Sequence, residues 1–224
     1  MTTPLVHLHD ASFRYAGAEQ SALTGLTLSV ASGEIVALAG PPGSGTSTLL
    51  LVLGGYAPRL VGGTLTGKRD LNARQPAIVF ATPWTQLTGL CHTVEAEVAF
   101  GPASYGLPRE AIRKNVAHQL GRLGVSHLAA RDPATLSGGE LQRVIVASAL
   151  ALEPDLLLLD DPAAELDPAG ADALYELLRE VAAGGAAVVV ATPDTERAAR
   201  VASRIIVLDR GRVAADGPPA GLPT

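Results

Sequence analysis

The stretch GPPGSGTST, Gly40 to Thr48, follows the apolar run Glu34 to Ala39 and has the glycine spacing of a phosphate-binding loop. Glycines in such a loop let successive backbone N–H groups turn inward on an anion, and the helix that follows presents its positive end. Gly40, Gly43 and Gly45, with Ser44 among them, keep that cradle. Ser47 falls where a hydroxyl coordinates Mg²⁺, and Thr48 carries the chain into the helix. Thr46 stands where such loops place a lysine that reaches the β- and γ-phosphates, so the geometry survives while the charge is lost. A second candidate is DLLLLDDP, which puts Asp160 at the end of an apolar strand, a position from which a carboxylate holds Mg²⁺ directly or through water. Each pattern also has a plain reading: a structural glycine turn, and an Asp pair that starts a turn before Pro162. A third segment, LSGGELQRV from Leu136 to Val144, opens an apolar helix with Ser137, Gly138 and Gly139, where Ser137 reads as an ordinary N-cap.

The elements that must position these residues follow from the apolar pattern. Glu34–Ala39, the glycine loop and TSTLLLVLGGY read as strand, loop and helix, the helix stopped by Gly54 and Gly55. Strand-length runs recur at Ala77–Phe80, Leu156–Asp160, Ala187–Ala191 and Ile205–Leu208, rich in the residues that fill buried parallel strands. Between them, Ile112, Val116, Leu120 and Leu123 line one helical face and Leu174, Leu177, Leu178 and Val181 another. The fold class is α/β. VHLHDASFRY, LTLSV and GGTLTG alternate like antiparallel strands, and Thr93–Arg131 is mostly helical, so the expected parts are a strand layer, a nucleotide core and a helical insert. The chain from 211 to 224, ending in DGPPAGLPT, reads as a loose tail.

At 224 residues and 47% hydrophobic content the chain buries a full core. Its net charge of -5, with no basic run longer than two, argues against a nucleic-acid partner. The apolar runs are far below membrane-spanning length, so any membrane attachment goes through other subunits. Cys91 excludes an internal disulfide and reads as a buried, inert thiol. His7 and His9 share a strand face without a third ligand at useful spacing, and read as a solvated face. Glu95 and Glu97 suit a solvated helix face or a salt bridge to a partner.

With its order and spacing, LSGGELQRV resembles the signature motif of ATP-binding cassette (ABC) proteins, and the remaining pieces resemble that family across nearly the whole chain. The resemblance implies a P-loop NTPase cassette over residues 1–224, with a RecA-like core, an antiparallel β layer and a helical subdomain at about 93–150. It implies Tyr15 as the aromatic that stacks on adenine, Ala164–Asp167 as the D-loop, and ATP and Mg²⁺ as ligands, with Ser47 and Asp160 toward the metal. TPWTQL and TVEAEVAFGPASYGLPREAIRKNV look like the ATPase subunits of energy-coupling factor importers, which implies a transmembrane coupling subunit, a substrate-binding membrane component and a place on the cytoplasmic membrane face. Against the family pattern, Thr46 replaces the lysine, Ala81 a glutamine, Asp161 the catalytic glutamate and Pro193 a histidine. Four departures on one site imply an impaired ATPase. Because cassettes of this family pair head to tail, Ser137, Gly138 and Gly139 would serve the ATP of a second, complete ABC subunit, with Asp167 linking the two sites. Two further readings are a nucleotide-gated interaction protein without hydrolysis and a soluble cassette protein acting on DNA or ribosomes.

Overall fold

The computed structural model describes residues 4–221. The chain opens with Val6–Arg14 (β1) and Leu23–Val30 (β2), which pair antiparallel. Ile35–Ala39 (β3) leads through the glycine loop into the helix Thr46–Leu53 (α1), and Thr64–Leu71 (β4) then returns to the free edge of β1. The result is a three-stranded sheet in the order β2-β1-β4. Pro76–Val79 (β5) precedes a helical region of Val94–Ser104 (α2), Arg109–Arg122 (α3) and Gly138–Ala151 (α4). Leu156–Asp160 (β6), Pro168–Ala183 (α5), Ala187–Ala191 (β7), Thr195–Ala199 (α6), Arg204–Asp209 (β8) and Arg212–Gly217 (β9) complete the chain. The second sheet runs β5-β6-β7-β3-β8-β9, parallel except for β9.

The central strands explain their own burial. IVALA of β3 and AVVVA of β7 are buried at every position, and β6 at every position but Asp160, as both faces of a parallel sheet are covered. Leu157 and Leu159 of β6 face one hydrophobic cluster with α4 and α5, while Leu156 and Leu158 face the other with α1 and the antiparallel sheet. Alternation by two thus divides one strand between two cores. The two helical faces expected from the sequence also pack: Val116 and Leu120 are buried on α3 with Leu123 at its C-terminal cap, and Leu174, Leu177 and Leu178 on α5.

Three expectations are corrected. The region taken as a tail contains β9, joined to β8 by Arg210 and Gly211, both in the left-handed region (φ 44° and 73°) as a tight hairpin turn requires. Arg204 clamps this strand through Asp216 at 2.5 Å. The alternately exposed RVAADG lacks the apolar run that marked the other strands. Leu222, Pro223 and Thr224, also part of that expectation, lie outside the described residues. Glu97 is not solvated: it is 5% exposed and accepts hydrogen bonds from the Thr88 amide and hydroxyl, both at 2.8 Å. Cys91 is partly exposed and free.

Candidate functional site

Four neighbouring parallel strands, β5, β6, β7 and β3, end side by side, and their C-terminal loops enclose a cleft of about 330 Å³. Open α/β sheets bind ligands at this end. The glycine loop after β3 supplies Gly40, Gly43, Thr46 and Ser47; the loop after β5 supplies Ala81; the end of β6 supplies Asp160 and Asp161; the loop after β7 supplies Thr192 and Pro193. The four positions expected from the sequence to depart from the family pattern, Thr46, Ala81, Asp161 and Pro193, therefore line one cavity. No lysine or arginine is among its lining residues.

The loop's glycines are required by its packing. A Cβ on Gly40 would collide with the Leu208 carbonyl oxygen and lie 2.5 Å from the Ser44 hydroxyl. Gly45 has φ 102°, and a Cβ there would lie 2.9 Å from the Ala22 carbonyl oxygen. Ser44 is 1% exposed, its hydroxyl without a hydrogen-bond partner, and its backbone carbonyl accepts from the Gly211 amide at 2.9 Å. The β8–β9 turn thus braces the loop from behind, a support that an isolated glycine near the end of the sequence gave no reason to expect. The glycine loop open to the cleft at Gly40 and Gly43, with Ser47 and Asp160 as oxygen donors beside it, fits a Mg²⁺-bound phosphate group.

Thr48 is buried, and its hydroxyl lies 3.0 Å from the Tyr15 hydroxyl, so it serves to hold Tyr15 against α1. Tyr15 also meets Phe13 edge-on at 4.9 Å. The fold thus fixes the candidate adenine-stacking ring beside the phosphate loop.

Burial pushes the Asp160 carboxyl above the ordinary carboxylate range, partly opposed by a hydrogen bond with Ser47. Asp161 is raised as well, first by burial and then by the charges of Asp160 and Asp194. Its backbone sits at φ 44°, uncommon for a residue with a side chain, and its amide donates to the Ala191 carbonyl at 2.8 Å. Two acids crowded in a cleft with no cation lack the counter-charge that metal binding would supply. Gln86, in the importer-like TPWTQL segment, turns back on β5: its amide nitrogen donates to the Ile78 carbonyl at 2.9 Å and its oxygen accepts from the Phe80 amide at 2.7 Å.

Ser137, Gly138 and Gly139 do not line this cleft. Ser137 caps α4 in a reciprocal box with Glu140, whose carboxylate accepts from the Ser137 amide at 2.8 Å and is held below the usual range chiefly by that bond. The two glycines admit Glu165 of the D-loop: a Cβ on Gly138 would collide with the Glu165 carboxylate, and one on Gly139 would lie 2.8 Å from its backbone oxygen. Glu165 was not legible as a site neighbour, because only the packed loops bring it there. Asp167 caps α5, accepting from the Gly170 amide at 3.0 Å. A separate groove of about 280 Å³ lies between β5 and the helical region, where Tyr56, Phe100 and Tyr105 line it. Of these, Phe100 and Tyr105 leave 40% and 68% of their surface exposed.

The family model for ABC transporters matches residues 23–164, from β2 through the acidic pair. The chain belongs to this family. As an ABC cassette it is 37% identical over 224 residues to the energy-coupling factor transporter ATP-binding protein EcfA of Methanothermobacter thermautotrophicus, covering 96% of this chain and 71% of that protein. The solved structure of cbiO1 from Clostridium perfringens, described as part of the ABC transporter complex cbiONQ, superposes with a TM-score of 0.83 at 29% identity over 97% of this chain and 90% of that one. The dimeric cassette MJ0796 bound to ADP and Pi superposes with a TM-score of 0.84 at 29% identity, over 97% of this chain and all of the other. The cassette spans only 37% and 56% of the length of two further archaeal relatives. Among the described residues no helix is long and apolar enough to cross a membrane.

Proposed function

We propose that this cassette is the ATP-binding subunit of an importer of the energy-coupling factor type, with an impaired hydrolytic site of its own and a signature segment that completes the ATP site of a second cassette. The observation that carries this reading is the cleft itself, which keeps the glycine cradle, Ser47 and Asp160 but has Thr46, Ala81, Asp161 and Pro193 on its walls and no basic side chain. Phosphoryl transfer is catalysed by positioning and by charge stabilisation, so removing a cation and several hydrogen-bonding groups slows turnover more than it weakens binding.

In this reading Tyr15 stacks on adenine and the backbone amides of Gly43, Gly45 and Thr46 hold the phosphates, Pro41 and Pro42 having no N–H to give and the Ser44 amide donating to the Pro41 carbonyl at 2.9 Å. Ser47 and Asp160 would hold Mg²⁺, which when bound neutralises charge on the phosphates. Asp161 is one methylene shorter than a glutamate, and misplacing a reacting group by about 1 Å costs on the order of 10²-fold. Ser137, with the amides of Gly138 and Gly139 at the N-terminus of α4, faces the γ-phosphate of ATP held by the partner, a heterodimeric arrangement. The groove beside α2, lined by the exposed aromatics Phe100 and Tyr105, is the face for a membrane coupling subunit, since exposed aromatics concentrate at interfaces. The similarity to EcfA and to cbiO1 supports the importer class.

The reading is tested by adding this chain to a catalytically complete cassette of the same class and measuring phosphate release. Turnover that depends on both chains and falls at least tenfold with Ser137→Ala in this one supports it. Complex formation with no release points instead to nucleotide-gated assembly.

A further inference from the structure

His7 and His9 acquire a third ligand from the neighbouring strand. β1 and β4 pair antiparallel with His7 opposite Asp70 and His9 opposite Lys68, so both imidazoles and the carboxylate stand on the outer face of the three-stranded sheet. Val6 and Leu8, the alternate positions, are fully buried on the inner face. One ligand atom from each of His7, His9 and Asp70 lies within 4.8 Å of the other two, and the imidazole rings of the histidines are 3.6 Å apart between centroids. Beyond His9 a bulge interrupts the pairing: Asp10 turns to φ 46° opposite Gly67, whose missing Cβ admits the His9 carbonyl oxygen at 2.6 Å from where that carbon would sit. The bulge closes the ladder's regular run immediately after the pair of histidines.

We propose that His7, His9 and Asp70 form a binding site for a divalent transition-metal ion, separate from the nucleotide cleft. Two imidazole nitrogens and one carboxylate oxygen, with positions left open to water, suit Zn²⁺, Co²⁺ or Ni²⁺ and not the all-oxygen shells of Mg²⁺ or Ca²⁺. Ligand atoms held at about 2.0–2.2 Å by one tetrahedral ion stand roughly 3.3–3.6 Å apart, so separations of at most 4.8 Å need to close by no more than about a third. The Asp70 carboxylate is held in place by the ammonium of Lys68 at 2.8 Å. Lys68 is also the competitor that the metal must displace. An ion bound here joins β1 to β4 across the sheet, on the strand that runs on to Tyr15.

The test uses tag-free chain without nucleotide, titrated with Co²⁺ by visible absorption and with Zn²⁺ by calorimetry. The expected result is one equivalent bound with a dissociation constant below about 100 μM, d–d bands without a thiolate charge-transfer band, and at least tenfold weaker binding in each of His7→Ala, His9→Ala and Asp70→Asn. All three side chains point outward, so metal-free melting curves report that the variants fold. Absence of saturable binding, affinity that survives any one substitution, or a thiolate band placing the ion at Cys91 overturns the proposal. None of these outcomes depends on how the cleft handles ATP.

Discussion

Thr46 decides the electrostatics of the cleft, because its neighbours there are two aspartates and no cation. Thr46→Lys is expected to lower the dissociation constant for MgATP by about 10- to 100-fold, the worth of one hydrogen bond to a charged group at roughly 1.5–3 kcal/mol. Calorimetry on the two proteins checks it. Asp160 gives a prediction with a definite sign. Its folded-state pKa lies above the ordinary 3.8, so the folded chain holds that proton more tightly than the unfolded chain, and stability is lost as pH rises through the folded value. Asp160→Asn therefore melts higher than the parent at pH 7 without Mg²⁺, the gain shrinking as pH falls toward 3.8, while MgATP binding weakens. A chain of this size shifts about 2–4 °C per kcal/mol, so thermal scans at several pH values resolve the effect. These residues were legible because their spacing is local. Asp70, Glu165 and Gly211 were not, since each reaches its place through strand pairing or loop packing with residues distant in sequence.

At the scale of elements, the signature helix and the D-loop are one packed unit. Ser137→Ala removes the capping box of α4 and should cost about 1 kcal/mol of stability, measured by denaturant melts. Gly138→Ala and Gly139→Ala differ in kind. The first presses on the end of the Glu165 side chain, so adding Glu165→Ala should restore most of the lost stability. The second meets Glu165 backbone at 2.8 Å, and the same addition should leave it destabilised. Equal rescue of both would contradict this packing. The buried strands β3, β6 and β7 were readable because a run of Val, Leu and Ala with both faces covered has one outcome. β9 escaped because an edge strand held by a hairpin turn and the Arg204–Asp216 pair carries no apolar run. Glu97 escaped because a helical pattern does not reveal that the Thr88 loop folds over it.

Over the whole molecule, Ser137, Gly138 and Gly139 lie outside the cleft lining, and in the proposed reading cleft and signature belong to two different ATP sites. That separation, together with membership of the ABC family, makes the proposed pairing with a complete cassette the natural source of turnover. The groove near α2 belongs to the same scale: Tyr105→Glu should leave MgATP binding unchanged and weaken co-purification with a membrane coupling subunit at least tenfold. The most direct measurement pairs calorimetric MgATP binding with phosphate release on the isolated chain, with Asp160→Asn alongside to exclude a contaminant. Binding with release at least about 10²-fold slower than the 1 s⁻¹ at the low end of ordinary enzyme turnover is the expected result. Release at about 1 s⁻¹ or faster that disappears in Asp160→Asn would show that Thr46, Asp161 and Pro193 sustain hydrolysis, and would contradict an impaired site.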